Sequence, residues 1–109
     1  MYILSSTFSI MMLDIEIGES VQLTLQKISK DQFIGYMPLI SKNCVNPLHK
    51  STATLVSQVC PIPCEGGTLT LNTGDTMIVI MPPRSMSNRE SKEIDLSCLD
   101  ECQFWVVKG

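Results

Sequence analysis

The sequence predicts an α/β (α+β) fold: a single mixed β-sheet of four to five strands with two main helices packed on one face. Three observations carry this. Val21, Leu23 and Leu25 alternate with Gln22, Thr24 and Gln26, the period-two signature of a strand with one wet face. The run Thr76-Met77-Ile78-Val79-Ile80-Met81 is apolar and rich in β-branched residues, as a central strand is, and Pro82-Pro83 closes it. Between these, Leu48, Thr52, Leu55, Val56 and Val59 recur at the spacing of one helix face.

The remaining elements follow in chain order. Tyr2 to Ser5 reads as a short buried strand that runs into a hydroxyl-rich turn. Residues 8–13, apolar without strict alternation, read as a loop or a single helical turn over the core. Ser29 is placed to cap a short helix over Lys30 to Tyr36, with Pro38 beyond its end. Residues 39–45 read as a connecting loop. Asn46 is a preferred N-cap and Pro47 suits the first helical position, so the next helix is expected to begin there, with His49 at its third position. Cys60-Pro61-Ile62-Pro63 stops it. Thr68-Leu69-Thr70-Leu71 alternates again, and Asn72-Thr73-Gly74-Asp75 is turn chemistry leading into the central strand. Residues 84–93 are polar and Gly-free and are expected to form a mobile loop. A short helix or turn over residues 94–99 and a closing strand over residues 103–108 complete the chain.

A chain of 109 residues has room for one core, so residues 1–109 read as a single domain. Its 44% hydrophobic and 17% charged content is that of a globular protein with a substantial interior. A net charge of −3 argues against extended DNA binding, which needs a basic face, and favours a compact anion met by a few local cations. No apolar stretch approaches the roughly 20 residues of a membrane helix. The opening residues lack the pattern of a secretory signal, and the odd set of five cysteines, Cys44, Cys60, Cys64, Cys98 and Cys102, then reads as reduced thiols in a cytoplasmic setting.

His49 is the only histidine, and it centres the candidate chemistry. Near a helix start the backbone N–H groups are unpaired and the dipole is positive, so phosphate is favoured there, with Ser51 and Thr52 as added hydroxyl donors. An imidazole so placed can give a proton to an alkoxide leaving group. The competing reading is a surface histidine with no task. Arg84, immediately after the central strand, stands where open α/β sheets place ligand-binding groups, and a guanidinium there can clamp phosphate. A solvated loop arginine is the alternative. Arg89 is a second local cation, while Glu90 and Glu93 read equally as helix-start residues. The pairs Cys60/Cys64 and Cys98/Cys102 have spacing open to a structural zinc, but prolines fill one pair and neither has a Gly-rich knuckle. Buried thiols are the commoner outcome, and no metal or cofactor is expected.

Three blocks resemble a small α/β family first met in viruses of thermophilic archaea, which includes the viral ring nucleases that degrade cyclic tetra-adenylate in type III anti-CRISPR defence. They are Leu4-Ser5-Ser6-Thr7-Phe8-Ser9-Ile10-Met11-Met12-Leu13, then His49-Lys50-Ser51-Thr52-Ala53, then Gly74-Asp75-Thr76-Met77-Ile78-Val79-Ile80 with Arg84. The resemblance implies a homodimer in the host cytosol with a cyclic oligonucleotide lying across the cleft between subunits. A ribose 2′-hydroxyl would attack the neighbouring phosphate without a metal, His49 would protonate the leaving 5′-oxygen, and Ser9 would contact the ligand. The departures bear on activity. Met11 stands where the family has asparagine, Leu48 where it has glycine, and Glu65-Gly66 where it has Asn-Arg; Ser87 stands at the catalytic glutamate position, which Glu90 fills only if the loop shifts. A slow nuclease, a cyclic-nucleotide sponge and a binder of another ligand all stay open. Two competitors from other classes are a non-enzymatic module binding nucleic acid or a host protein and a zinc-stabilised interaction module.

Overall fold

A computed structural model describes every residue except Thr68, and at Ser91 the backbone alone. Five strands form one mixed sheet: β1 (Tyr2–Ser5), β2 (Thr24–Ile28), β3 (Lys42–Asn43), β4 (Thr76–Met81) and β5 (Gln103–Lys108), in the order β2-β5-β4-β1-β3. β1 runs parallel to both β3 and β4, while β5 lies antiparallel between β4 and β2. The register sets Leu4 beside Ile78, Ile78 beside Val106, and Leu25 beside Val107.

Alternation along these strands sends side chains to two faces, and each face has its own core. On one face Leu4, Ile78, Ile80, Phe104 and Val106 meet Phe33 of α1 (Lys30–Tyr36) and Leu55 and Val56 of α2 (Lys50–Ser57). Phe33 stacks on Phe104 with centroids 4.4 Å apart. On the other face no helix longer than one turn takes part: Ile3, Met77, Val79 and Val107 are covered by Leu69, Leu71 and Leu23, with Phe8, Met12 and Leu13 packed against them. That cover is partial, and Leu25 and Met81 stay 54% and 49% exposed. The mixed five-stranded sheet with its two helices on one face is the predicted fold class. No helix among the described residues is long and apolar enough to cross a membrane.

α1 starts where its sequence says. The Ser29 hydroxyl accepts the Gln32 N–H, and the Gln32 side chain accepts the Ser29 N–H, a capping box that satisfies two donors reciprocally. α2 does not. Its N-cap is His49, three residues beyond the expected Asn46, because the Asn46 side chain accepts the Leu48 N–H at 2.9 Å and its carbonyl accepts the His49 N–H at 3.0 Å. Asn46 and Pro47 thus build an Asx turn before the helix rather than its first residues. Leu48, counted on the apolar face, is 79% exposed, whereas Thr52, Leu55 and Val56 are buried as expected.

Four other expectations are corrected. β2 begins at Thr24, so Val21 and Gln22 precede the ladder. Within the expected loop 39–45, Lys42 and Asn43 form a two-residue edge strand beside Ile3 and Leu4. Leu69 and Leu71 are buried with Thr70 exposed between them, yet they form no strand, and Leu71 donates its N–H singly to Met12 O. Thr68, the first residue of that alternating run, lies outside the described residues. Residues 84–93 are organised as two 3-10 turns, Arg84–Asn88 and Ser91–Glu93, the first pinned by the fully buried Met86. The expected helix or turn after it is a 3-10 helix, Leu96–Glu101, capped by Asp95.

Candidate ligand cleft at the start of helix α2

The approach to α2 is fixed from three sides. Asn43, fully buried, accepts the Val45 N–H on its side-chain oxygen at 3.1 Å and donates to Ile62 O at 2.8 Å. It therefore ties the segment entering the helix to the segment leaving it. Gly66, with φ +69°, lies against the Asn46-Pro47 turn so closely that a Cβ there would stand 3.2 Å from Pro47 Cδ. The Glu65 N–H, one residue earlier, donates to Asn43 O. The turn delivers His49 as an exposed N-cap whose imidazole caps nothing. The His49 carbonyl takes the Ala53 N–H, which leaves the N–H groups of Lys50, Ser51 and Thr52 without a backbone acceptor among the described residues.

This helix start faces the end of β4. There Pro82 and Pro83 stop the ladder and Arg84 opens the 3-10 turn. The space between is an open cleft of about 750 Å³ lined by His49, Lys50, Ser51, Thr52, Arg84, Ser87, Arg89 and Glu90. A second cleft, about 470 Å³, adjoins it across His49, Thr52 and Pro82, and Ser6, Thr7 and Asn46 line its far side. Both lie beyond the carboxyl ends of the parallel strands β1 and β4, where open α/β sheets hold ligands.

Within the cleft the groups differ in what is left for a ligand. Arg89 is engaged: both guanidinium nitrogens reach Glu101 at 2.6 Å, and Nη1 also contacts Cys98 Sγ at 3.6 Å. Hydrogen bonding to Glu101 raises the Arg89 pKa, and the same contact holds the Glu101 carboxyl below its ordinary range. Arg84 and Lys50 make no ion pair among the described residues. Glu90 pairs with Lys92 at 3.2 Å, an exposed contact that costs little to break. The Ser87 hydroxyl donates to Arg84 O at 2.8 Å and so closes the turn that carries Arg84. Thr52 is 6% exposed and sits in the wall between the clefts.

Two of the sequence-derived site residues fall outside this grouping. Ser9 lines neither cleft; its hydroxyl accepts the Met11 N–H and starts the 3-10 turn Ile10–Met12. Met11 is 92% exposed and also apart from both. Lys50, Asn46, Ser6 and Thr7 line the clefts without having been marked as ligand-binding residues. Ser6 and Thr7 directly follow β1, so the strand-end rule that drew attention to Arg84 applies to them equally. Asp75, in the third block of the resemblance, holds the other end of β4: its carboxylate accepts the Asn72 N–H and meets the chain's amino group at 3.5 Å.

The thiols stand apart from the clefts except for Cys44. Among the described residues no three His, Cys, Asp or Glu side chains come together as metal ligands. Burial raises the pKa of Cys44 and Cys60, and burial together with the neighbouring Cys98 pushes Cys102 up to about 11, so these thiols are held protonated at neutral pH.

No family model matches this chain, and no curated protein matches it by sequence. Among solved structures it is similar to B116 of Sulfolobus turreted icosahedral virus, with a TM-score of 0.70 at 24% identity over 99% of this chain and 98% of that one. The chain has the fold of a Sulfolobus virus protein. The likeness extends over both chains nearly end to end. At this identity it is a likeness of fold.

Proposed function

We propose that this chain is of viral or prophage origin and binds a cyclic oligonucleotide of the oligoadenylate class in the host cytosol, two copies pairing to present two clefts. The observation that carries the reading is the convergence at one cleft of His49, Arg84, Lys50 and the open N–H groups of helix α2. These groups are donors, and a phosphodiester offers acceptors with a negative charge. The fold likeness to a Sulfolobus virus protein supports the viral origin, and the resemblance of the sequence blocks around His49 and Arg84 to the viral ring nucleases supports the choice of ligand class.

Cleavage at such a site needs no metal. A ribose 2′-oxygen forms a bond to the adjacent phosphorus while the bond from phosphorus to the 5′-oxygen breaks. The 2′-hydroxyl proton passes to water, and protonated His49 gives its proton to the leaving 5′-oxygen, producing a 2′,3′-cyclic phosphate and a free 5′-hydroxyl. Arg84 and the α2 N–H groups, with Ser51 and Thr52, would hold the phosphate in line and neutralise its charge.

A specific observation favours binding without cutting as a second reading. The residue at the expected glutamate position, Ser87, carries no carboxylate and is committed to the Arg84 carbonyl, which leaves Glu90 as the one carboxylate among the cleft's described lining residues. Incubating the protein, His49→Ala and Arg84→Ala with a panel of cyclic and linear oligoadenylates decides the matter. The proposal expects a rise in melting temperature with a cyclic ligand that Arg84→Ala loses. Product formation abolished by His49→Ala identifies a nuclease, and binding by the wild type and His49→Ala without product from either identifies a sponge. No thermal shift with any cyclic oligonucleotide refutes the proposal and leaves a non-enzymatic protein- or nucleic-acid-binding role.

A further inference from the structure

The chain carries five thiols, and two of them share one polar group. The fully buried Asn43 of β3 donates from Nδ2 to Ile62 O at 2.8 Å and to Cys64 Sγ at 3.4 Å. The Cys60 thiol hydrogen-bonds with the Ile62 backbone and with the same Asn43 side chain, and Cys64 is its charged neighbour when ionised. Cys64 Sγ also reaches Ala53 O of α2 at 3.9 Å. The two sulfurs are thus gathered around one side-chain amide, with only Pro61, Ile62 and Pro63 between their residues in sequence.

The backbone fixes both ends of this loop. The Cys60 N–H donates to Val56 O at 2.9 Å, continuing the hydrogen bonding of α2, and the Glu65 N–H beside Cys64 donates to Asn43 O at 3.0 Å. Each proline holds its own φ, so the loop has little freedom to lose when its ends are joined. Exposure gives the two thiols different parts: Cys64 is half-buried and meets solvent, whereas Cys60 is 7% exposed. Cys98 and Cys102 have the same spacing without this arrangement. Cys98 Sγ turns to Arg89 Nη1 at 3.6 Å and Glu93 O at 3.8 Å, while Cys102 Sγ meets Cys98 O at 3.5 Å. Those two sulfurs have separate partners.

We propose that Cys60 and Cys64 form a redox-active dithiol, oxidised by a low-molecular-weight disulfide to a staple between the end of α2 and the segment paired with β3. Cys64, as thiolate, attacks one sulfur of the oxidant, forms a mixed disulfide and releases the first small thiol. The Cys60 sulfur then attacks Cys64 Sγ, forms the internal disulfide and expels the second, its proton passing to the departing thiolate. Two protein thiols lose two protons and two electrons, and the small disulfide is reduced to two thiols. A transient disulfide of this kind is the form that a reducing compartment permits. Asn43 also accepts the Val45 N–H, so the staple would brace the segment that delivers His49, whatever ligand the cleft takes.

Incubation of the folded protein with oxidised glutathione, followed by alkylation and peptide mass mapping, tests the dithiol. The wild type is expected to lose two of its five free thiols to an internal Cys60–Cys64 link and to recover both with dithiothreitol. Cys60→Ser should stop at one glutathione on Cys64, and Cys64→Ser should leave Cys60 unmodified, with circular dichroism to confirm that each variant is folded. The wild-type map decides the matter alone if either variant fails to fold. Five intact thiols, a wild-type glutathione adduct at Cys64 that never resolves, or a Cys98–Cys102 link formed in place of this one overturns the proposal. The cyclic-ligand assay is read separately, so the failure of either proposal leaves the other standing.

Discussion

Gly66→Ala tests whether the turn before His49 is held by close packing from outside the helix. Two costs are separable. At φ +69° an L-residue is strained by about 1–2 kcal/mol, offset by about 0.4–1 kcal/mol from the stiffer unfolded chain. The new methyl would also stand 3.2 Å from Pro47 Cδ, tighter than ordinary contact, and overpacking of this kind costs about 1–3 kcal/mol. Gly74→Ala is the control, because Gly74 has φ +91° with open space around it and carries the strain alone. Urea denaturation should therefore show Gly66→Ala destabilised by roughly 2–4 kcal/mol and Gly74→Ala by about 1 kcal/mol. Because Pro47 lies two residues before His49, any ligand-induced rise in melting temperature should shrink in Gly66→Ala and persist in Gly74→Ala. Equal destabilisation in the two variants would refute the packing argument.

Three further outcomes are expected. Phe33→Ala removes a fully buried ring stacked at 4.4 Å on Phe104 and should cost about 3–5 kcal/mol in urea denaturation, whereas Ile34→Ala, exposed on the same helix, should cost far less. The Glu101 carboxyl, held below its ordinary value near 4.5 by hydrogen bonds from Arg89, contributes stability that is present above that value and lost as the pH falls through its lower folded-state pKa. The melting temperature should therefore drop between pH 5 and 3 more steeply in the wild type than in Glu101→Gln. Cys102, pushed up to about 11 from the ordinary 9.0 chiefly by burial, contributes stability that is present below pH 9 and lost as the pH rises toward 11. Urea midpoints taken from pH 8 to 10.5 should decline less in Cys102→Ala, provided the variant is folded at pH 7.

What could be read from the sequence and what could not divide along physical lines. The Ser29 cap and its helix were legible because the whole capping box lies within four consecutive residues. β4 was legible because a run of six apolar and β-branched residues closed by two prolines has few other uses. The start of α2 was misplaced because an Asn-Pro pair serves equally as helix cap or Asx turn, and the turn is packed against Gly66, which is distant in sequence. β3 escaped notice because two residues carry no periodicity and exist as a strand only through β1. The alternation at Leu69 and Leu71 correctly marked burial, but it could not show whether a neighbouring strand was available to pair with them. In the cleft, His49 and Arg84 were recoverable from their positions at a helix start and a strand end. That Arg89 is spent on Glu101 depends on a contact twelve residues away, and nothing in the local sequence signals it.

The insertion of β5 between β4 and β2 has a consequence for how the chain acquires its structure. Among the described residues β2 hydrogen-bonds to no strand but β5, so Leu25 waits for Val107 while nearly the whole intervening chain is made. Pairing at such separation makes folding slow relative to helical proteins of this size. A nascent chain emerging from the ribosome can form the Ser29 capping box early, yet its sheet has no path to closure until Gln103–Lys108 is free. Until then one edge of β4 and all of β2 offer open ladders to any passing strand. The yield of folded protein should accordingly fall where translation stalls before β5, which leaves an aggregation-prone species.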